Sequence, residues 1–211
     1  MRRLPVYLVL DTSGSMNGEP IQAVENGMQM LVSGLRQDPQ ALESAFLSVI
    51  TFDSDAKQVV PLTDLASFQM PSLSASGTTA LGAALTLVSR CVKNEVTKST
   101  PIKKGDWRPL VFLMTDGCPT DEWQKGLADF QAARWGVVVC CAAGQGTDTT
   151  ILKQISECVV LLDIADSKTL AAFFKWVSAS ISTSSKSVNE SNKEVTGMEQ
   201  LPPPPPEITI A

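Results

Sequence analysis

Apolar residues fall along this chain in short continuous runs, separated by stretches with helical spacing. Val6-Tyr7-Leu8-Val9-Leu10 and Val137-Val138-Val139-Cys140-Cys141 contain no polar position. Such runs suit strands covered on both faces, as in a parallel sheet. The pattern predicts strands over 5–10, 45–52, 57–61, 109–114, 136–142 and 158–162. Between them the period changes. Ile21, Val24, Met28, Leu31 and Leu35 recur at steps of 3, 4, 3 and 4. That is one stripe of a helix, with Pro20 in its first turn and Asn17 or Gly18 near its cap. Leu81, Leu85, Val88 and Val92 form a second stripe. Further helices are predicted over about 121–135, 148–156 and 167–182, the last carrying Leu170, Phe173, Phe174 and Val177.

Strands alternating with helices imply right-handed crossovers. The predicted fold class is α/β: a three-layer, doubly wound, Rossmann-like and mostly parallel sheet. Residues 57–61 follow the second strand after only Asp53-Ser54-Asp55, which predicts one antiparallel edge strand. Residues 93–108 are polar and Lys-rich, so they read as a surface loop, with Trp107 packed on the rim of the core. From Thr183 onward Ser, Thr, Asn, Lys and Glu dominate, and five prolines run from Pro202 to Pro206. Such composition buries too little apolar surface to order itself. The expected organisation is one domain over 1–182 and a disordered tail over 183–211, with the prolines able to hold a polyproline II rod.

A length of 211 residues suits that plan. The net charge of −5 and the lack of a basic stripe with interleaved aromatics argue against nucleic acid. They argue equally against an anionic membrane surface. No run approaches the roughly eighteen apolar residues of a membrane span. Asp11 ends the first apolar run too early for a signal peptide. The five cysteines are odd in number, and Cys140, Cys141 and Cys158 lie in apolar runs. Buried reduced thiols in a cytoplasmic protein fit this better than disulfides. The chain has no histidine, which removes Ser-His-Asp and Cys-His catalysis.

Three loops carry the candidate chemistry. Asp11-Thr12-Ser13-Gly14-Ser15 ends the first strand, Ser76-Gly77-Thr78-Thr79 precedes the second helix, and Met114-Thr115-Asp116-Gly117 ends the fourth strand. In an open parallel sheet, ligands bind beyond the carboxyl ends of the strands. Each loop alone reads as a helix cap or a turn. Together they supply the oxygens of a hard cation. Asp11 and Asp116 would neutralise the charge of Mg2+, and Ser13, Ser15 and Thr78 would add neutral oxygens to its octahedral shell. Mn2+ or Ca2+ could replace it. Asp53 and Asp55 read as turn formers, and Asp121 and Asp148 as caps of the helices that follow them.

These three loops resemble the metal-ion-dependent adhesion site of von Willebrand factor A domains, over about residues 4–180. The resemblance implies Ser13, Ser15 and Thr78 as direct or near-direct ligands, with Asp11 and Asp116 often acting through water. Arg3-Leu4-Pro5-Val6-Tyr7-Leu8-Val9-Leu10-Asp11, Gly18-Glu19-Pro20-Ile21 and Arg36-Gln37-Asp38-Pro39 are similar to the small bacterial von Willebrand A proteins of tellurium-resistance operons, the TerY type. That resemblance implies a cytoplasmic stress-response scaffold, often encoded beside a Ser/Thr protein kinase and a PP2C-type phosphatase. The resulting expectation is a non-catalytic module that engages a carboxylate of a protein partner through its metal.

Two other functions compete. Asp11 could be the nucleophile of a Mg2+-dependent phosphohydrolase. The best-known enzymes of that kind place a second carboxylate two residues on, where this chain has Ser13, and no lysine stands beside Asp116. Cysteines, Cys118 among them, could instead handle tellurite or a soft metal directly, which needs exposed thiols.

Overall fold

The computed structural model describes residues 2–144 and 146–211. The chain runs β1 (Leu4–Asp11), α1 (Glu19–Gln37), α2 (Pro39–Ser44), β2 (Ala45–Phe52), β3 (Ala56–Asp64), α3 (Leu81–Glu95), β4 (Leu110–Thr115), α4 (Trp123–Gln131), β5 (Val138–Ala143), α5 (Thr149–Ile155), β6 (Cys158–Leu162), α6 (Ser167–Ser191) and β7 (Thr209–Ile210). The strands form a single sheet in the order β3-β2-β1-β4-β5-β6-β7. β2, β1, β4, β5 and β6 are parallel. β3 pairs antiparallel with β2, as its short turn requires, and β7 pairs antiparallel with β6.

Two apolar layers sandwich the sheet. Val6, Leu8 and Leu10 of β1 pack with Val24, Met28 and Leu31 of α1 and with Phe173, Phe174 and Val177 of α6. Tyr7 and Val9 of the same strand face Leu81, Leu85 and Val88 of α3 and Phe130 of α4. Every residue of β1 is buried, which is why that strand shows no alternation. Trp107 is buried, with the Arg2 guanidinium 3.3 Å from its ring centroid.

α2 answers to a signal that hydrophobic periodicity does not carry. Asp38 accepts the N–H groups of Gln40 and Ala41, and Pro39 takes the first position, where no N–H is needed. Asp121 behaves differently from the expectation that it caps the helix after it. Its two oxygens accept the N–H groups of Gly82 (3.0 Å) and Ala83 (2.9 Å), so it caps α3, nearly forty residues back. α3 has no cap of its own, because Ala80 occupies that position. Asp121→Ala should cost about 1 kcal/mol of stability, read by urea denaturation. Asp148 does cap its own helix, α5.

The largest difference from the sequence reading lies beyond Thr183. α6 continues to Ser191, and Val188, Val195, Leu201 and Ile208 are buried. The Trp176 indole N–H donates to the carbonyl of Pro202 at 2.8 Å. Ser180, Ser184 and Ser185 are fully buried on α6, where their small size lets the helix pack closely. The segment read as a disordered tail thus returns to the sheet and adds β7 at its edge.

Candidate metal centre

β1 and β4 are neighbours, with Leu10 opposite Met114, so their carboxyl ends open on one crevice. β1 continues to β2 on one side and β4 to β5 on the other, which makes this the switch point of the sheet. Asp11 is fully buried here. One of its oxygens accepts the Ser13 backbone N–H at 2.8 Å, and the other accepts the Thr115 hydroxyl at 2.5 Å. The chain then turns through a short helical segment, Gly14–Met16. The Ser13 and Ser15 hydroxyl oxygens lie 3.0 Å apart, and Ser15 Oγ donates to Asp116 Oδ1 at 2.7 Å. Asp11, Ser13, Ser15 and Asp116 thus form one connected polar group.

The third loop docks against the first by main chain. Gly14 N–H donates to Gly77 O at 3.1 Å, and Ser76 N–H to Thr12 O at 2.9 Å. A side chain at position 14 would press on Gly77 O, and Gly77 itself has φ +72°, so both glycines serve this approach. Thr78 lies beside the polar group rather than within it. Its hydroxyl and its N–H both donate to Ser54 Oγ, at 3.3 and 3.1 Å. Thr115 and Ser54 position site residues, and sequence reading assigned neither a role. The threonine next to Asp116 and the serine of the hairpin turn were visible, but nothing local shows what their hydroxyls reach. Asp53 and Asp55 are turn formers as read: the Asp55 N–H donates to the Asp53 carboxylate, and the Ala56 N–H to that of Asp55.

Burial pushes the Asp11 carboxyl above its ordinary range, against the pull of hydrogen bonds from Ser13 and Thr115, and the nearby Asp116 charge adds to the push. Burial also pushes Asp116 up, against the Ser15 hydroxyl. Among the described residues, no Lys or Arg pairs with either carboxylate. The site is a negatively biased oxygen cradle. Around Mg2+ at about 2.0–2.1 Å, adjacent octahedral ligands sit about 2.9 Å apart. The Ser13–Ser15 and Ser15–Asp116 separations fit such neighbours. Among the described residues, no three or more His, Cys, Asp or Glu side chains are grouped so that they could hold a metal ion. Cys91, Cys140, Cys141 and Cys158 are buried, and burial pushes the thiols of Cys91 and Cys158 up to about 11. Cys118 is exposed at the rim, its Sγ 3.4 Å from Gly146 O.

The sequence matches the von Willebrand factor type A domain over residues 6–175. The chain belongs to that family. Von Willebrand A domains are metal-dependent adhesion and protein-interaction modules. An uncharacterized Synechocystis protein, sll0103, is 35% identical over 123 residues, which is 55% of this chain and 26% of that one. Among solved structures, a von Willebrand A protein from Catenulispora acidiphila aligns with a TM-score of 0.65 at 18% identity, covering 86% of this chain and 43% of that one. The mussel byssus proximal thread matrix protein 1, in a form with a zinc-occupied MIDAS motif, aligns with a TM-score of 0.59 at 21% identity, covering 84% and 46%. This von Willebrand A domain therefore spans less than half the length of each of these relatives, and the solved structures establish its fold.

Proposed function

We propose that Asp11, Ser13, Ser15, Thr78 and Asp116 form a complete adhesion-type metal site that holds Mg2+, with Mn2+ or Ca2+ as substitutes, and engages a carboxylate on a protein partner. The observation that carries this reading is the run of oxygens Ser13–Ser15–Asp116, spaced 3.0 and 2.7 Å at the switch point. The metal would supply an electrophilic grip on an incoming carboxylate. Three of the five groups are neutral hydroxyls, so the protein's own two carboxylates only balance a divalent charge. Thr115 fixes Asp11, and Asp11 in turn holds the Ser13 N–H. Thr78 would take part by exchanging its hydrogen bond to Ser54.

Burial of Asp11 supports a non-catalytic role. Both its oxygens are engaged, which does not suit a nucleophile, and the chain has no histidine. The TerY-type resemblance supports a cytoplasmic scaffold in a tellurium-resistance or stress response, with a Ser/Thr kinase and a PP2C-type phosphatase as partners. The Arg36-Gln37-Asp38-Pro39 segment that carries part of it is structural: Arg36 donates to the carbonyls of Leu65 and Phe68. Four buried free thiols agree with a reducing compartment. Among the described residues, no helix is long and apolar enough to cross a membrane.

Affinity capture from the native host tests the proposal. Wild type in Mg2+ is expected to retain a kinase or phosphatase, and Ser13→Ala/Ser15→Ala to lose it at least tenfold while keeping its circular dichroism. Equal capture in EDTA would sink the metal-dependent reading.

A further inference from the structure

At the opposite end of the sheet lies a cleft of about 950 Å3, between the carboxyl ends of α3 and α4 and the loop that leads into β4. Five of the chain's 17 basic residues line it: Arg90, Lys93, Lys98, Arg108 and Arg134. All five are exposed, and among the described residues none makes an ion pair. Position at a helix end accounts for Lys93, in the last turn of α3, and for Arg134, just past α4. It does not account for Lys98 or Arg108.

The acids of the same wall are already engaged. Asp106 pairs with Arg3 at 2.6 Å, and Asp129 accepts the Thr86 hydroxyl at 3.1 Å. Glu194 takes the Arg108 N–H at 2.9 Å and lies 3.5 Å from the Arg2 guanidinium. Glu194 also shows how this wall receives a carboxylate, with a main-chain N–H and a guanidinium together. In the same loop that supplies Lys98 and Ser99 to the wall, Ile102 is 98% exposed. On a chain of net charge −5, this concentration of unpaired cations is a local inversion of sign.

We infer that this cleft is a second protein-binding site, taking a peptide segment of a partner that carries several carboxylates and one apolar residue for Ile102. The cations line a concavity rather than a flat face, which suits a peptide over a membrane. The aromatic ring on the wall, Trp107, has Arg2 on its face, so it offers no platform for base stacking. The inference is independent of the metal site.

Fluorescence anisotropy tests it, with a fluorescein-labelled heptapeptide of Glu and Asp around a central Leu. Binding should saturate and weaken with salt. Arg90→Glu/Lys93→Glu and Arg108→Glu should each weaken it at least tenfold, Lys93→Gln/Lys98→Gln about threefold, and Ile102→Ser about threefold. Lys153→Glu/Lys175→Glu matches the charge change elsewhere on the surface and should bind as wild type does, and with EDTA present throughout the metal site contributes nothing to the signal. Thermal midpoints within about 2 °C of wild type would show that the variants fold. Equal loss in the Lys153/Lys175 variant would overturn the inference in favour of non-specific attraction. So would binding that never saturates, or cleft-dependent binding to phosphatidylserine vesicles without binding of the peptide.

Discussion

Saturating Mg2+ is expected to raise the thermal midpoint of the wild-type domain by about 5–10 °C and to leave Asp116→Ala unmoved. A ligand that binds only the folded state at one hundred times its dissociation constant stabilises it by about 2.7 kcal/mol. In a domain of this size each kcal/mol moves the midpoint by about 2–4 °C. Asp116 is the cleaner substitution, because it is half-buried and accepts from Ser15, whereas Asp11 is fully buried and its loss would remove the acceptor of both the Ser13 N–H and the Thr115 hydroxyl. The effect should also depend on pH, with a definite sign. Burial raises both carboxyls, so metal-free folded protein keeps their protons to a higher pH than unfolded chain does. Their contribution to metal-free stability is therefore full at acid pH and lost as pH rises through the raised values. Metal binding requires the deprotonated forms, so the Mg2+ shift should grow over that same interval. Differential scanning fluorimetry with Mg2+ or EDTA across acidic to neutral pH reads both trends. A shift that is the same at every pH, or that persists in Asp116→Ala, would place the metal elsewhere.

The second large effect is expected from a single methyl group. α3 and α4 cross backbone to backbone at Gly82 and Gly126. A Cβ at position 126 would run into the Gly82 carbonyl oxygen and sit 2.8 Å from Gly82 Cα. Neither neighbour is a flexible side chain, so α4 itself must move. Gly126→Ala should cost about 3 kcal/mol, the upper end of ordinary overpacking, and lower the midpoint by about 6–12 °C. The damage should reach the metal centre. The segment before α4 carries Asp121 on the α3 N-terminus and Thr120, whose N–H and hydroxyl bind the main chain of Thr79. Shifting α4 therefore disturbs the residue next to Thr78. Gly126→Ala is expected to lose part of the Mg2+ shift as well as stability. An unchanged midpoint would mean that the crossing relaxes freely.

The sheet was legible in the sequence wherever burial on both faces produced an unbroken apolar run. The prediction over 45–52 and the strand Ala45–Phe52 coincide, and 5–10 extends by one residue at each end. That Asp11 and Asp116 both end strands was legible too, and they share a crevice because the sheet order makes those strands neighbours. Other features depend on contacts between residues far apart in the chain. Asp121 looks like a local cap, and only the α3–α4 crossing shows that it serves Gly82. Thr78 is one loop removed from the serines, its hydroxyl on Ser54, and no spacing rule reveals that orientation. The last thirty residues escaped for a different reason. Val188, Val195, Leu201 and Ile208 are too widely spaced to make a periodic signal, yet each is buried by an element contributed earlier in the chain. The serines of α6 read as a solvated composition, although they are the small residues of a packed face.

β7 has a consequence for handling and turnover of the protein. It pairs through Val160–Ile210 and Leu161–Thr209, and the Ala211 N–H reaches Val159 O at 2.9 Å. Those few bonds occupy the free polar groups along the outer side of β6, a buried and wholly apolar strand apart from its cysteine. Removing β7 would leave that row of donors and acceptors open to the same row on another molecule. Protein lacking Thr209–Ala211 should therefore stay folded but grow turbid on storage, so clarity of the solution would report whether this short strand is in place.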